Sequence, residues 1–133
     1  MGDLLRRVAD SEQLFLAWNE VRDNDLDDGV KSPQVEEFER GALRNLTELS
    51  EQILSGEYAP GPVVAIEVPK SSGGTRLLAI PAVRDRIVER AVLEVLECYV
   101  DPVLSPWSFA YRSGLGVNDA IRALTQARDA GAR

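Results

Sequence analysis

From Val63 to Val68 the chain runs as an apolar stretch broken by Glu67, a pattern that suits a strand with one buried face, and a second apolar run ends at Ile80. Between them lies Pro69-Lys70-Ser71-Ser72-Gly73-Gly74-Thr75-Arg76, polar and glycine-bearing, which predicts an antiparallel hairpin. Pro81 has no N–H to donate and biases Ile80 away from helix, so the second strand stops there. A helix is predicted from Val83 to about Val100, with Ile87, Ala91, Val95 or Val92, and Cys98 or Tyr99 facing inward, and Asp101-Pro102 ends it.

The first half reads as helices. Leu4, Leu5 and Val8 open a helical spacing, and Ser11 is positioned to cap a helix that turns Leu14, Phe15, Ala17, Trp18 and Val21 toward a core. The acidic run from Asn24 to Val30 reads as a solvated turn, since it lacks the calcium-loop pattern. Ser32 and Pro33 start a helix with Val35, Phe38, Leu46, Leu49 and Ile53 on one face, and Gly56 ends it. Tyr58 is expected to pack under the hairpin with its hydroxyl at the surface. A last helix is predicted from Val117 to Ala130, with Asn118 near its cap. The fold class is therefore α+β, mostly helical around one antiparallel β-hairpin.

Composition refines this picture. The 133 residues, 44% apolar, suffice for one domain with a core. The net charge of -7 argues against a generic nucleic-acid coat, but the acid is concentrated in residues 1–60, which carry 14 acidic and 6 basic side chains. Residues 61–133 carry 8 and 9, and within Val68 to Arg90 five cations face two acids. The chain thus divides by composition into an acidic helical part and a part holding hairpin, basic helix and a second motif. With no histidine, imidazole is unavailable for a triad, general base or zinc site within these residues. The single cysteine, Cys98, is expected as an inert buried thiol. No apolar run approaches about 18 residues and no signal-peptide core opens the chain, so a cytoplasmic protein without membrane contact is expected.

The hairpin tip carries the candidate chemistry. Lys70 offers a compact ammonium, Arg76 a planar fork of donors, and glycines let backbone N–H groups approach phosphate oxygens, so a polyanion such as a triphosphate is one candidate ligand. An ordinary solvated hairpin is the other reading. Asp85 and Arg86 suit pairing with neighbouring charges as well as nucleic-acid contact.

Taken in order, Ile66-x-Val-Pro-Lys-x-x-Gly-x-x-Arg-x-Leu-x-Ile-Pro, then Asp85-Arg86-Ile87-Val88, resembles the fingers motif of group II intron-type reverse transcriptases and their bacterial relatives. Ser108-Phe109-Ala110-Tyr111-Arg112-Ser113-Gly114 resembles the family's next block, S-Y-G-F-R-P-G, with Ala110, Tyr111 and Ser113 departing from it. Tyr58-x-Pro60 resembles its G-x-Y-x-P lead-in. The resemblance runs from about Trp18 to the C-terminus and stops before the expected palm strand with its first catalytic Asp.

The resemblance implies the fingers region of an RNA-directed DNA polymerase, a nucleotidyltransferase that uses RNA template, DNA primer and deoxynucleotide. Lys70 and Arg76 would contact the incoming triphosphate, and Arg112 would shape the nucleotide pocket or pack beside it. Ile80 and Pro81 would lie against the templating nucleotide, with Arg86 also on the template side. The Mg2+ ions of the full-length enzyme would be held by the palm, so no catalytic or metal-binding residue is assigned in this chain and polymerisation by it alone is not expected. The absence of a long basic extension before the fingers leans toward a non-intron relative, a CRISPR-associated one among them. Two further readings stand beside this one: a non-catalytic nucleic-acid- or partner-binding module derived from such fingers, and a structural helical domain whose hairpin makes only protein contacts. Surfaces near Trp107, Phe109 and the last helix are expected to be exposed.

Overall fold

The computed structural model describes residues 2–25 and 29–132; the acidic turn read at 24–30 therefore lies partly outside the described residues. The chain divides into two compact units, Met1–Leu96 and Glu97–Arg133, and the charge boundary near Pro60 falls inside the first. The architecture is the expected one, mostly helical with a single two-stranded antiparallel hairpin.

In the first unit, α1 (Asp3–Val8), α2 (Ser11–Asn24), α3 (Pro33–Arg40) and α4 (Ala42–Ser55) precede the hairpin β1 (Val64–Pro69) and β2 (Thr75–Ile80), and α5 (Val83–Val100) follows it. The core gathers Leu14, Trp18, Val35, Leu49, Ile53 and Ile87 from four helices, with the Trp18 and Phe38 rings 4.8 Å apart and tilted by 41°. Burial of such aliphatic and aromatic surface is the main source of stability. Ser50 Oγ donates to the Ala9 carbonyl at 2.6 Å, which stitches α4 to the turn between α1 and α2.

Several expectations change. The cap of α2 is Asp10, whose carboxylate accepts from the Glu12 and Gln13 amides at 3.0 and 3.2 Å; Ser11 is already helical. Phe15 is exposed, because the stripe through Leu14, Ala17, Trp18 and Val21 fills the inward face. The single helix expected from Pro33 to Gly56 is two, broken at Gly41, where Asn45 Nδ2 takes up the Phe38 carbonyl at 3.2 Å. Glycine is a poor helix former, and a side-chain amide here substitutes for the interrupted ladder.

The largest change concerns the hairpin. Its register pairs Val64 with Ile80, Ile66 with Leu78 and Val68 with Arg76, which puts Val64, Ile66, Val68, Leu78 and Ile80 on one apolar face ending in Arg76. That face was expected to be buried, yet along both strands only Val68 and Ile80 are even half-buried. Alternation sorts side chains onto faces, but among the described residues no second layer buries either face.

The second unit contains a 3-10 turn (Asp101–Val103) and α6 (Val117–Asp129). None of its described residues is buried: Trp107 and the α6 residues Val117, Ile121 and Leu124 are exposed, as expected near Trp107 and the last helix, while Phe109 is half-buried. Cys98 and Tyr99, expected inward, are exposed; the last α5 residue in the core is Val95. α6 is capped at Gly116, whose amide donates to Asp119 at 2.9 Å, so Asp119 and not Asn118 supplies the cap interaction. Among the described residues no helix is long and apolar enough to cross a membrane.

The contrast between core and hairpin is measurable. Leu14→Ala should cost about 2–5 kcal/mol in urea unfolding, whereas Leu77→Ala, at a position 72% exposed, should stay within about 0.5 kcal/mol.

Candidate nucleotide and nucleic-acid interface

The hairpin tip is built by its glycines. Lys70 N–H donates to the Gly74 carbonyl at 3.0 Å and Gly73 N–H to the Lys70 carbonyl at 3.1 Å, closing a turn in which Gly73 and Gly74 sit at φ 89° and 76°. Side chains with a Cβ rarely adopt that backbone region. Lys70 thus opens the turn, and Arg76 stands one residue into β2 opposite Val68. Among the described residues, neither Lys70 Nζ nor the Arg76 guanidinium has a hydrogen-bonding or ion-pair partner. Arg6, Arg40 and Arg44 share that property but belong to the acidic half.

The remaining predicted residues are placed differently. Ile80 and Pro81 lie at the base of the hairpin, both half-buried, about 13 Å along the strand from Arg76. Arg86, in the first turns of α5, reaches back to α2 and pairs with Asp25 at 3.3 Å. Asp25 is a junction: burial raises its pKa, but the Ser32 amide at 2.7 Å, the Ser32 side chain and Arg86 outweigh that and hold the carboxyl below its ordinary value. Arg90 is likewise held by Glu20 at 2.6 Å and Glu94 at 2.9 Å. Of the two uses considered for Arg86, charge pairing is therefore present.

Arg112 belongs to the second unit, where it organises the loop. Its Nε and Nη2 meet the Asp101 carboxylate at 2.7 and 3.2 Å, and Nη1 donates to the Ser108 and Ser105 carbonyls at 2.8 and 3.3 Å. Hydrogen bonding to this guanidinium holds Asp101 below the usual carboxylate range. A planar fork can satisfy a carboxylate and two carbonyls together. Next to it Tyr111 is fully exposed with φ 59°, an uncommon conformation for a residue with a side chain.

The surroundings of Tyr58 differ from the expectation. Asp85 is the only charged residue buried among those described, 3% exposed. Its Oδ1 accepts from the Tyr58 hydroxyl and its Oδ2 from the Gly61 amide, each at 2.8 Å. The Tyr58 hydroxyl is thus turned to a buried carboxylate and not to the surface. Arg84 lies over the Tyr58 ring, 5.3 Å from its centroid, and donates to Gln52 at 2.8 Å. Its Nε stands 3.8 Å from Asp85, an ion-pair separation too long for a hydrogen bond. Burial, reinforced by the adjacent carboxylate, pushes the Tyr58 hydroxyl up to about 12.

Among the described residues no three His, Cys, Asp or Glu gather in a way that could hold a metal ion. A small helical domain that projects a cationic, glycine-tipped hairpin is the class this geometry defines.

No family model matches the chain. It is 36% identical over 99 residues to Protein YkfC of Escherichia coli, a match covering 71% of this chain and 26% of that protein. It is 26% identical over 122 residues to the Putative COX1/OXI3 intron 1 protein of Saccharomyces cerevisiae, and 24% identical over 115 residues to an uncharacterized 91 kDa protein in cob intron of Schizosaccharomyces pombe. These matches take in 90% and 85% of this chain but 14% of each intron protein. The chain therefore spans about a quarter of YkfC and a smaller share of the others, and is distantly similar to proteins named for introns. The lean toward a non-intron or CRISPR-associated relative gains no support from these names.

Two outcomes follow from this geometry. A hydroxyl whose pKa rises on folding binds its proton more tightly in the native state, so its contribution is complete below about pH 10 and is lost as pH rises toward about 12; alkaline unfolding curves of Tyr58→Phe should be flatter than native across that window. Arg112→Lys leaves one ammonium where a fork made five contacts. Amide exchange over 101–115 should accelerate while that of α2 and α4 is unchanged.

Proposed function

We propose that this chain supplies the template- and nucleotide-gripping fingers of an RNA-directed DNA polymerase of the group II intron type. The observation that carries the reading is the hairpin tip, where Lys70 and Arg76 lack acidic partners and the turn is built from glycines. The ordered motif from Ile66 to Val88 and the similarity to intron-named proteins support it. In this reading Lys70 and Arg76 take the triphosphate of the incoming deoxynucleotide, for which charge-assisted hydrogen bonds in a fixed frame are the appropriate means. Ile80 and Pro81 meet the templating nucleotide at the hairpin base. Arg86 serves the template side while braced by Asp25, and Arg112 orders the loop of the second motif. Chemistry at Mg2+ belongs to other parts of a full-length enzyme acting on RNA template and DNA primer in the cytoplasm.

The second reading, a partner-binding module, is favoured by the second unit, none of whose described residues is buried. It makes association the primary activity and nucleic acid secondary.

Binding of primer-template with deoxynucleoside triphosphate, titrated against salt, separates the two. Lys70→Ala and Arg76→Ala should each weaken binding about tenfold and lower the slope of log affinity against log salt by about one. Equal binding by both variants and the native chain would remove the polymerase reading and leave the module.

A further inference from the structure

We propose that Asp85 is a positioning residue that aims the hairpin, and through it Lys70 and Arg76, by clamping the segment that leads into β1. The nucleotide part of this inference rests on the function proposed above; the mechanical part does not.

The hairpin has no core of its own to hold its direction. No residue from 61 to 82 belongs to the buried cluster, and only Val68, Ile80 and Pro81 in that span are half-buried. A two-stranded sheet is marginal alone, so its orientation depends on the two links joining it to the helices. One is short: Pro81 and Ala82 connect β2 to α5. The other runs through residues 57–63; the Tyr58 amide ties its start to the Gln52 carbonyl of α4 at 2.9 Å, and both of its side-chain hydrogen-bond anchors are oxygens of Asp85, one taking the Tyr58 hydroxyl and the other the Gly61 amide three residues nearer the hairpin. Both links thus converge on the first turn of α5.

The chemistry makes the clamp firm. A carboxylate nearly removed from water carries a large desolvation cost that hydrogen bonds must offset. Losing either donor leaves an acceptor oxygen short of a partner. Gly61 fits closely as well: a Cβ placed there would lie 3.3 Å from Asp85 Oδ2, so a larger residue presses on the carboxylate it donates to. Tip and clamp are nine residues apart, an arm of ~30 Å in extended chain. A pivot of ~10° at the base moves the tip by ~5 Å, well beyond the tolerance of a hydrogen bond to phosphate.

Spin labels at Ser72→Cys in the tip and Glu51→Cys on α4, in a Cys98→Ser background, report the hairpin's direction by double electron–electron resonance. A narrow distance distribution is expected for the native contacts, and a broadened or displaced one for Tyr58→Phe and for Gly61→Ala. Tyr58→Phe removes a single hydroxyl, which keeps the test usable where Asp85→Asn fails to fold. Distributions unchanged in both variants would overturn the clamp. In triphosphate binding, Tyr58→Phe should lose about threefold to tenfold in affinity, and that loss should vanish in a Lys70→Ala/Arg76→Ala background. A loss that persists there would overturn the claim that the clamp acts through the tip. If the distributions broaden while Lys70→Ala binds as the native chain does, the clamp stands and the polymerase reading is what fails.

Discussion

A β-hairpin with water on both faces has to be told where to point, and in this chain that instruction comes from one buried carboxylate. Ladder hydrogen bonds between β1 and β2 define the hairpin's shape, and the glycines at 73 and 74 define its tip, but neither relates it to the helices. Asp85 does so because it is both part of α5, whose Ile87 and Ala91 are wholly buried, and bonded to the strand lead-in. Rigidity generated by apolar packing in the helical body is thereby passed to a projection that has no packing of its own. This is an economical use of a buried charge: the cost of desolvation is offset only in one geometry, so the charge selects that geometry.

The charge distribution follows a related logic. The acidic excess of residues 1–60 is not spread evenly over a solvated face. Glu20 and Asp25 on and after α2 reach Arg90 and Arg86 on α5, where they neutralise the basic helix and fasten the two elements together. Of the cations from Val68 to Arg90, the two left without an acid after this pairing are those of the tip, Lys70 and Arg76. Exposed ion pairs contribute little to stability individually, but the partly buried Asp25–Ser32–Arg86 junction also takes up an amide of a helix start. The net charge of the whole chain is therefore a poor guide to its local field, which is set by which cations have acids within reach.

How far these features were legible depends on how local their causes are. The hairpin, its glycine tip, the start of α5 at Val83 and the inward stripe of α2 rest on short-range signals and could be read directly. The break at Gly41 and the choice of Asp10 over Ser11 as cap involve neighbours competing on nearly equal terms, and boundaries are decided there by tenths of a kcal/mol or little more. The Tyr58–Asp85 bond joins residues 27 apart, and nothing in composition or spacing distinguishes that carboxylate from Asp119 or Asp129. The G-x-Y-x-P lead-in and the Asp85-Arg86 pair were both noticed as motif residues; that they touch is a property of the fold. Alternation along β1 correctly sorted its faces but is silent about whether anything covers them.

Arg112 shows why a motif residue and a binding residue are different things. Its position in the second block suggests contact with a nucleotide, yet its donors are taken by Asp101, Ser105 and Ser108. Withdrawing it to meet a phosphate would leave three loop carbonyls and a carboxylate to be resolvated, and would release the turn that carries Tyr111 at φ 59°. The force that keeps Arg112 in the loop is thus the same charge-assisted bonding that would draw it to a ligand. Lys70 and Arg76 face no such competition. Between Val68 and Arg90, where Arg84, Arg86 and Arg90 already have acids, the two cations at the end of the hairpin are the ones with binding capacity left to use.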